Sequence, residues 1–125
     1  MDMANIKTKL EEGETIFFCR QGTIMKGLRV AGRIILTNKR FIWEKAGALN
    51  VAAFGVLSLA GKDYLSLPFS DIVSVTDYKL SFIEGTGAGI KFLLKTGEEL
   101  KFQINGKDPK KARQDFMQNF GFLRG

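Results

Sequence analysis

The apolar residues of this chain change period once. From Glu14 to Asn105 they alternate in short runs broken by turn residues; beyond Asp108 they recur at four-residue spacing, at Ala112, Phe116 and Phe120. A period of two sends alternate side chains to opposite faces of a strand, and a spacing of four lines one face of a helix. The chain therefore reads as a series of strands followed by a single helix, an order that few architectures accept.

The turns place the strands. Glu14–Met25 (ETIFFCRQGTIM) is rich in β-formers, with Gly22 marking a bulge or bend. Lys26–Gly32 (KGLRVAG) reads as a loop between two glycines. Arg33–Thr37 and Arg40–Lys45 form a hairpin around Asn38-Lys39, since Asn tolerates the positive φ of a tight turn. Phe41 and Trp43 share one face of that hairpin, the one expected to be core. Tyr64–Phe69 contains Pro68, which suits an edge strand or a strand end. Ile72–Tyr78 follows; Glu84–Gly89 reads as a loop; Ile90–Lys95 and Glu99–Asn105 form a second hairpin around Thr96-Gly97-Glu98. Asp108 is a helix N-cap, Pro109 suits the first turn, and the helix is expected to end near Gly121. The predicted fold is mainly β: seven antiparallel strands curled into a partly open barrel or sandwich, with the C-terminal helix and its aromatic stripe over one end. Residues 1–125 form one domain, its core about 12–121.

Several residues carry a resemblance. Glu12-Gly13-Glu14-Thr15-Ile16, then Gly32 through Phe41 (GRIILTNKRF), then Leu67 through Val75 (LPFSDIVSV) resemble the GRAM and bacterial pleckstrin-homology-like families. The Thr37-Asn38-Lys39-Arg40 turn is the most specific part. The resemblance implies the same seven strands and capping helix, and no catalytic residue. Relatives in this superfamily include anionic-lipid binders and protein binders. The turn also has a purely structural reading, in which Thr37 and Asn38 bond their own backbone and Lys39 and Arg40 project into water.

Composition removes whole classes of chemistry. There is no histidine and one cysteine, Cys19, so histidine-based catalysis, His-ligated zinc and an intrachain disulfide are excluded. No catalytic, metal or cofactor site is predicted. Asp63, Asp71 and Asp77 sit where turns and exposed strand faces put carboxylates anyway, and Cys19 reads as a small strand residue. Gly55–Asp63 misses the phosphate-loop spacing by one residue, and Gly85–Gly89 precedes a strand rather than a helix. Met1–Leu10 lacks a signal-peptide core, and no run reaches the roughly 20 apolar residues of a membrane span. The expected location is cytoplasmic, extending to the periphery of the inner membrane face.

Two features bear on function. The net charge is +6, and Arg20, Lys26, Arg29, Arg33, Lys39, Arg40 and Lys45 face only Glu44 within their segment. Residues 46–61 (AGALNVAAFGVLSLAG) carry no charge and form an apolar insertion between the third and fourth strands. Core, a partner subunit and a bilayer surface all remain open for that insertion. The leading reading is a non-catalytic scaffold or binding domain, self-associating or protein-binding through Leu49, Phe54, Leu57 and exposed sheet edges. The alternative is peripheral binding of anionic lipid headgroups by Lys26, Arg29, Lys39 and Arg40. Nucleic acid is not expected as a partner, because Phe41 and Trp43 face inward.

Overall fold

The computed structural model describes residues 8–26, 28–45, 64–81 and 85–124. The expectations for residues 46–61 and for Asp63 lie outside them. Seven strands form one antiparallel sheet: β1 (Ile16–Lys26), β2 (Leu28–Thr37), β3 (Arg40–Lys45), β4 (Tyr64–Pro68), β5 (Ile72–Tyr78), β6 (Ala88–Leu94) and β7 (Glu99–Ile104). Their order is β4-β3-β2-β1-β7-β6-β5. A 3₁₀ turn (Phe69–Asp71) joins β4 to β5, and α1 (Pro109–Arg124) closes the described chain.

The inward face follows the predicted alternation. Ile34 and Leu36 of β2, Phe41 and Trp43 of β3, Ile90 and Phe92 of β6, and Phe102 and Ile104 of β7 are at most 1% exposed. The helix stripe of Ala112, Phe116 and Phe120 is buried against them. Phe116 meets Phe18 edge-on at 5.3 Å between ring centroids, and Phe41 tilts against Phe92 at 4.4 Å. Offset and edge-on rings are the arrangements aromatic quadrupoles favour. Trp43 Nε1 donates to the Gly22 carbonyl at 3.2 Å, so its one polar atom is satisfied in the core.

The loop expected at 26–32 is a correction. β1 and β2 stay paired out to Lys26 and Leu28, with Val30 2% exposed. Gly32 marks close packing instead of a turn: a Cβ there would stand 2.7 Å from Trp43 Cε2. The helix also runs beyond Gly121 to Arg124, whose guanidinium donates to the Ile72 and Val73 carbonyls at 2.8 and 2.7 Å and holds the last turn down. Asp108, the expected cap, has φ 52, and its carbonyl accepts the first helical bond from the Ala112 N–H.

A second, smaller apolar cluster lies on the outward face of β1–β3. It comprises Cys19, Ile35 and Ile42, with Leu10 and Ile16 packed on it. Leu10 docks on this cluster, and Cys19, at 1% exposure, is buried.

Candidate functional site

The two pieces of the most specific motif meet. Thr37 Oγ1 donates to Glu14 Oε2 at 2.6 Å and accepts from the N–H groups of Lys39 and Arg40, both at 3.0 Å. Asn38 does not bond its own backbone: its Nδ2 donates to the Gly13 carbonyl, and its Oδ1 accepts from the Thr15 N–H at 2.8 Å. Arg40 does not project into water. Its Nε and Nη2 donate to the two Glu14 oxygens at 2.8 and 3.0 Å, Nη2 also to the Lys9 carbonyl, and Nη1 to Ser66 Oγ. The Glu14 side chain is fully buried. Burial pushes its carboxyl upward, but hydrogen bonds from Arg40, the Glu11 N–H and Thr37, with the Arg40 charge, outweigh this and hold it at about 2, below the usual 4.5.

The same neutralisation recurs along the basic segment. Glu44, 1% exposed, accepts from Arg33 Nη2 at 3.0 Å and from both the N–H and hydroxyl of Thr8. Arg20 donates to the Asn105 and Lys107 carbonyls. Lys45 is 1% exposed. Lys39 is exposed, with Nζ on the Glu12 carbonyl at 2.9 Å and 3.8 Å from Glu11. The four lipid candidates are not brought together either. Arg29 lies near the start of β2, whereas Lys39 and Arg40 lie just past its other end. At about 3.3 Å per residue, that is some 25 Å of strand. Lys26 stands at the end of β1, beside the start of β2.

Strand register builds a different cationic surface. Thr76 of β5 pairs with Lys91 of β6, Lys91 with Lys101 of β7, Lys101 with Met25 of β1, and Met25 with Arg29 of β2. Residues paired across antiparallel strands point to the same face. Thr76 and Arg29 are exposed and the three between them half-buried, so this row lies on the outside of the sheet. With strands about 4.8 Å apart, Lys91, Lys101 and Arg29 span roughly 14 Å. Lys101 Nζ lies 4.7 Å from the centre of the Tyr78 ring. Arg29 Nη2 donates to Gln103 Oε1 at 2.8 Å, and Gln103 Nε2 is bound to the Thr86 carbonyl, which orients the guanidinium. Lys91 has Glu99 at 3.6 Å, both side chains being solvated. Among the described residues no carboxylate pairs with Arg29 or Lys101.

Sequence reasoning found Arg29 and missed Lys91 and Lys101. The signal was there: the turn at Thr96 stands midway between them, so the hairpin pairs them. Asp77, weighed as an acid-base candidate, lies 3.4 Å from Arg113 Nε. Among the described residues no three Cys, Asp or Glu side chains cluster closely enough to hold a metal ion, and no helix is long and apolar enough to cross a membrane.

No protein-family profile matches the chain, and no curated sequence is similar to it. Solved structures are similar in fold. The Vps36 N-terminal PH domain superposes with a TM-score of 0.62 at 18% identity, over 93% of this chain and 83% of that one. The Slm1-PH domain in complex with D-myo-inositol-4-phosphate gives 0.57 at 15% identity, over 87% and 97%. The same domain in complex with phosphoserine gives 0.58 at 13%, over 87% and 95%. Seven antiparallel strands in one sheet with a terminal helix over the core match these neighbours: the fold is pleckstrin-homology-like.

Proposed function

We propose that this chain is a non-catalytic binding module that docks at the periphery of an anionic membrane and holds phosphorylated headgroups against the row of Arg29, Lys101 and Lys91. The observation that carries this reading is the direct opposition of Lys91 and Lys101, with Arg29 two strands beyond Lys101 and, among the described residues, no carboxylate on either Lys101 or Arg29. Like charges placed opposite one another on a sheet cost stability. An anionic ligand removes that cost and gains about 1 kcal/mol for each cation at the surface. Slm1-PH, solved with inositol-4-phosphate, supports the reading by fold. Lys39 and Arg40 leave the site. Within the pleckstrin-homology-like fold, the mutual locking of Gly13-Glu14-Thr15 with Thr37–Arg40 favours a place among the GRAM and bacterial relatives.

Sedimentation with phosphatidylcholine vesicles, with and without phosphatidylserine or a phosphoinositide, tests the proposal. Pelleting is expected with the anionic vesicles only, and is expected to weaken steeply with salt. Arg29→Glu and Lys101→Glu are each expected to reduce it about tenfold, and Lys39→Ala to leave it unchanged. Equal pelleting by neutral vesicles, or equal losses in all three variants, would sink the site. Absence of pelleting together with a solution mass above 13.9 kDa would favour assembly instead. That second reading has the two sheet edges, β4 and β5, in its favour, with Leu49, Phe54 and Leu57 as its proposed contacts.

A further inference from the structure

Ahead of β1, the segment from Thr8 to Gly13 is irregular backbone and turn, in no strand or helix. It forms a strap over the outward face of β1–β3. Leu10 packs there, with Ile16, on Cys19, Ile35 and Ile42, which are each at most 1% exposed. Side chains of the β2–β3 turn and the Glu14 lock hold the end near Gly13. Arg40 Nη2 donates to the Lys9 carbonyl at 3.0 Å, Lys39 Nζ to the Glu12 carbonyl at 2.9 Å and Asn38 Nδ2 to the Gly13 carbonyl at 3.1 Å; Glu14 Oε1 accepts from the Glu11 N–H at 2.8 Å. Thr8, at the other end, hangs on a single atom. Its N–H and its hydroxyl both donate to Glu44 Oε2, at 3.0 and 2.8 Å. Glu44 is 1% exposed, and its other oxygen accepts from Arg33.

The strap belongs to no strand ladder, so it can lift while every strand pair stays intact, the kind of opening that costs far less than unfolding. Its closed position requires Thr8 to bring hydrogens to a buried carboxylate. Phosphorylation of the hydroxyl removes one donor and sets about −1.5 to −2 charge beside Glu44. Like charges at such a distance, partly shielded from water, repel strongly. Thr8 itself is half-buried, on irregular backbone that an enzyme can take up in extended form. Lys7 and Lys9 flank it in sequence with positive charge, which suits an acidic kinase cleft.

We propose that Thr8 is a phosphorylation site and the trigger of a latch: the phosphate lifts the strap from Glu44 and uncovers the apolar face at Cys19, Ile35 and Ile42. Thr8 Oγ1 attacks the γ-phosphorus of a nucleoside triphosphate held by a protein kinase. The bond from that phosphorus to its bridging oxygen breaks, the nucleoside diphosphate leaves, and the hydroxyl proton passes to the kinase's base. The row of Arg29, Lys101 and Lys91 takes no part, so this reading stands apart from headgroup binding.

Cys19, the single cysteine, lies under Leu10 and reports the opening. A synthetic segment 1–18 with phosphothreonine at position 8, joined to residues 19–125 through Cys19, gives the full chain with its native thiol. Its reaction with a thiol-specific disulfide reagent is expected to be about thirtyfold faster or more than in the unphosphorylated chain, because the rate follows the open population. Thr8→Val, which loses the hydroxyl bond and adds no charge, is expected to stay within about fivefold of the unmodified rate. In Glu44→Gln the repelling charge is gone, and the phosphate is expected to accelerate the reaction less than about fivefold. Trp43, 1% exposed in the main core, is expected to keep its emission, which separates lifting of the strap from unfolding. A kinase that prefers basic sequences, supplied with ATP, is expected to place phosphate on Thr8 of the full chain. The proposal is overturned by equal Cys19 rates with and without the phosphate, or by a slower rate with it, in which case Arg33 takes the phosphate and tightens the strap. It is also overturned by a Thr8→Val rate equal to the phosphorylated one, by an undiminished acceleration in Glu44→Gln, by a red shift of Trp43 accompanying the acceleration, or by a kinase-treated chain with no phosphate on Thr8.

Discussion

The two outward halves of the sheet handle positive charge in opposite ways. Across β1–β4, Arg40 and Arg33 turn onto buried carboxylates, Glu14 and Glu44. Across β5–β7 and the β1–β2 hairpin, Lys101 and Arg29 stand with no carboxylate among the described residues. A count of lysines and arginines along the chain ranks the first half as the basic one. The structure reverses the ranking, because an arginine held by two carboxylate oxygens has little left for a ligand. What marks a surface for anions is the charge left after pairing.

The contrast can be broken most forcefully at Glu14. Glu14→Ala leaves the half-buried Arg40 guanidinium without its carboxylate, and breaking a pair with one fully buried partner costs about 3 kcal/mol. Urea unfolding is expected to show a loss of that size; a loss below about 1 kcal/mol would mean the pair is solvated in solution. Acid probes the same corner less drastically. The Glu14 carboxyl titrates at about 2 in the fold and near 4.5 when unfolded. Its contribution, about 3 kcal/mol, is therefore complete above pH 4.5 and disappears as the pH falls towards 2. Unfolding free energies measured across that window are expected to fall with pH, and to fall less in Glu14→Gln. The opposite half gives the smallest effect and the opposite sign. Lys101→Thr relieves the Lys91 opposition and is expected to raise stability by about 0.5 kcal/mol while weakening vesicle binding. A clear destabilisation would indicate that Lys101 is held by Tyr78 rather than left available.

Much of the fold was legible because alternation and turn chemistry are local. The hairpin at Asn38, the inward Phe41 and Trp43, the Thr96–Glu98 turn and the aromatic stripe of α1 were all read from neighbouring residues. The first half of β2 was missed because Gly32 resembles punctuation. Its cause is the neighbouring strand, where the Glu44 carbonyl and the Trp43 ring fill the space a side chain would need. The site was less legible for a related reason. Alternation says which face a residue occupies, but not which carboxylate reaches it. Glu14 and Arg40 are 26 residues apart and meet only once β1, β2 and β3 are assembled. The Lys91–Lys101 pairing follows from a turn that was correctly located. Joining it to Arg29 also requires the β1–β7 contact, which no local pattern reports.

The lock between Glu14 and Arg40 also shapes how sequences related to this one can drift. Neither partner can change alone without leaving a buried or half-buried charge unpaired, so any exchange at these two positions has to pass through a destabilised intermediate or occur as a double step. Positions 14 and 40 should therefore be inherited as a pair across diverging lineages. Arg29, Lys91 and Lys101 are free to wander one at a time, trading lysine for arginine or moving a charge to the neighbouring strand, as long as the face keeps its sign.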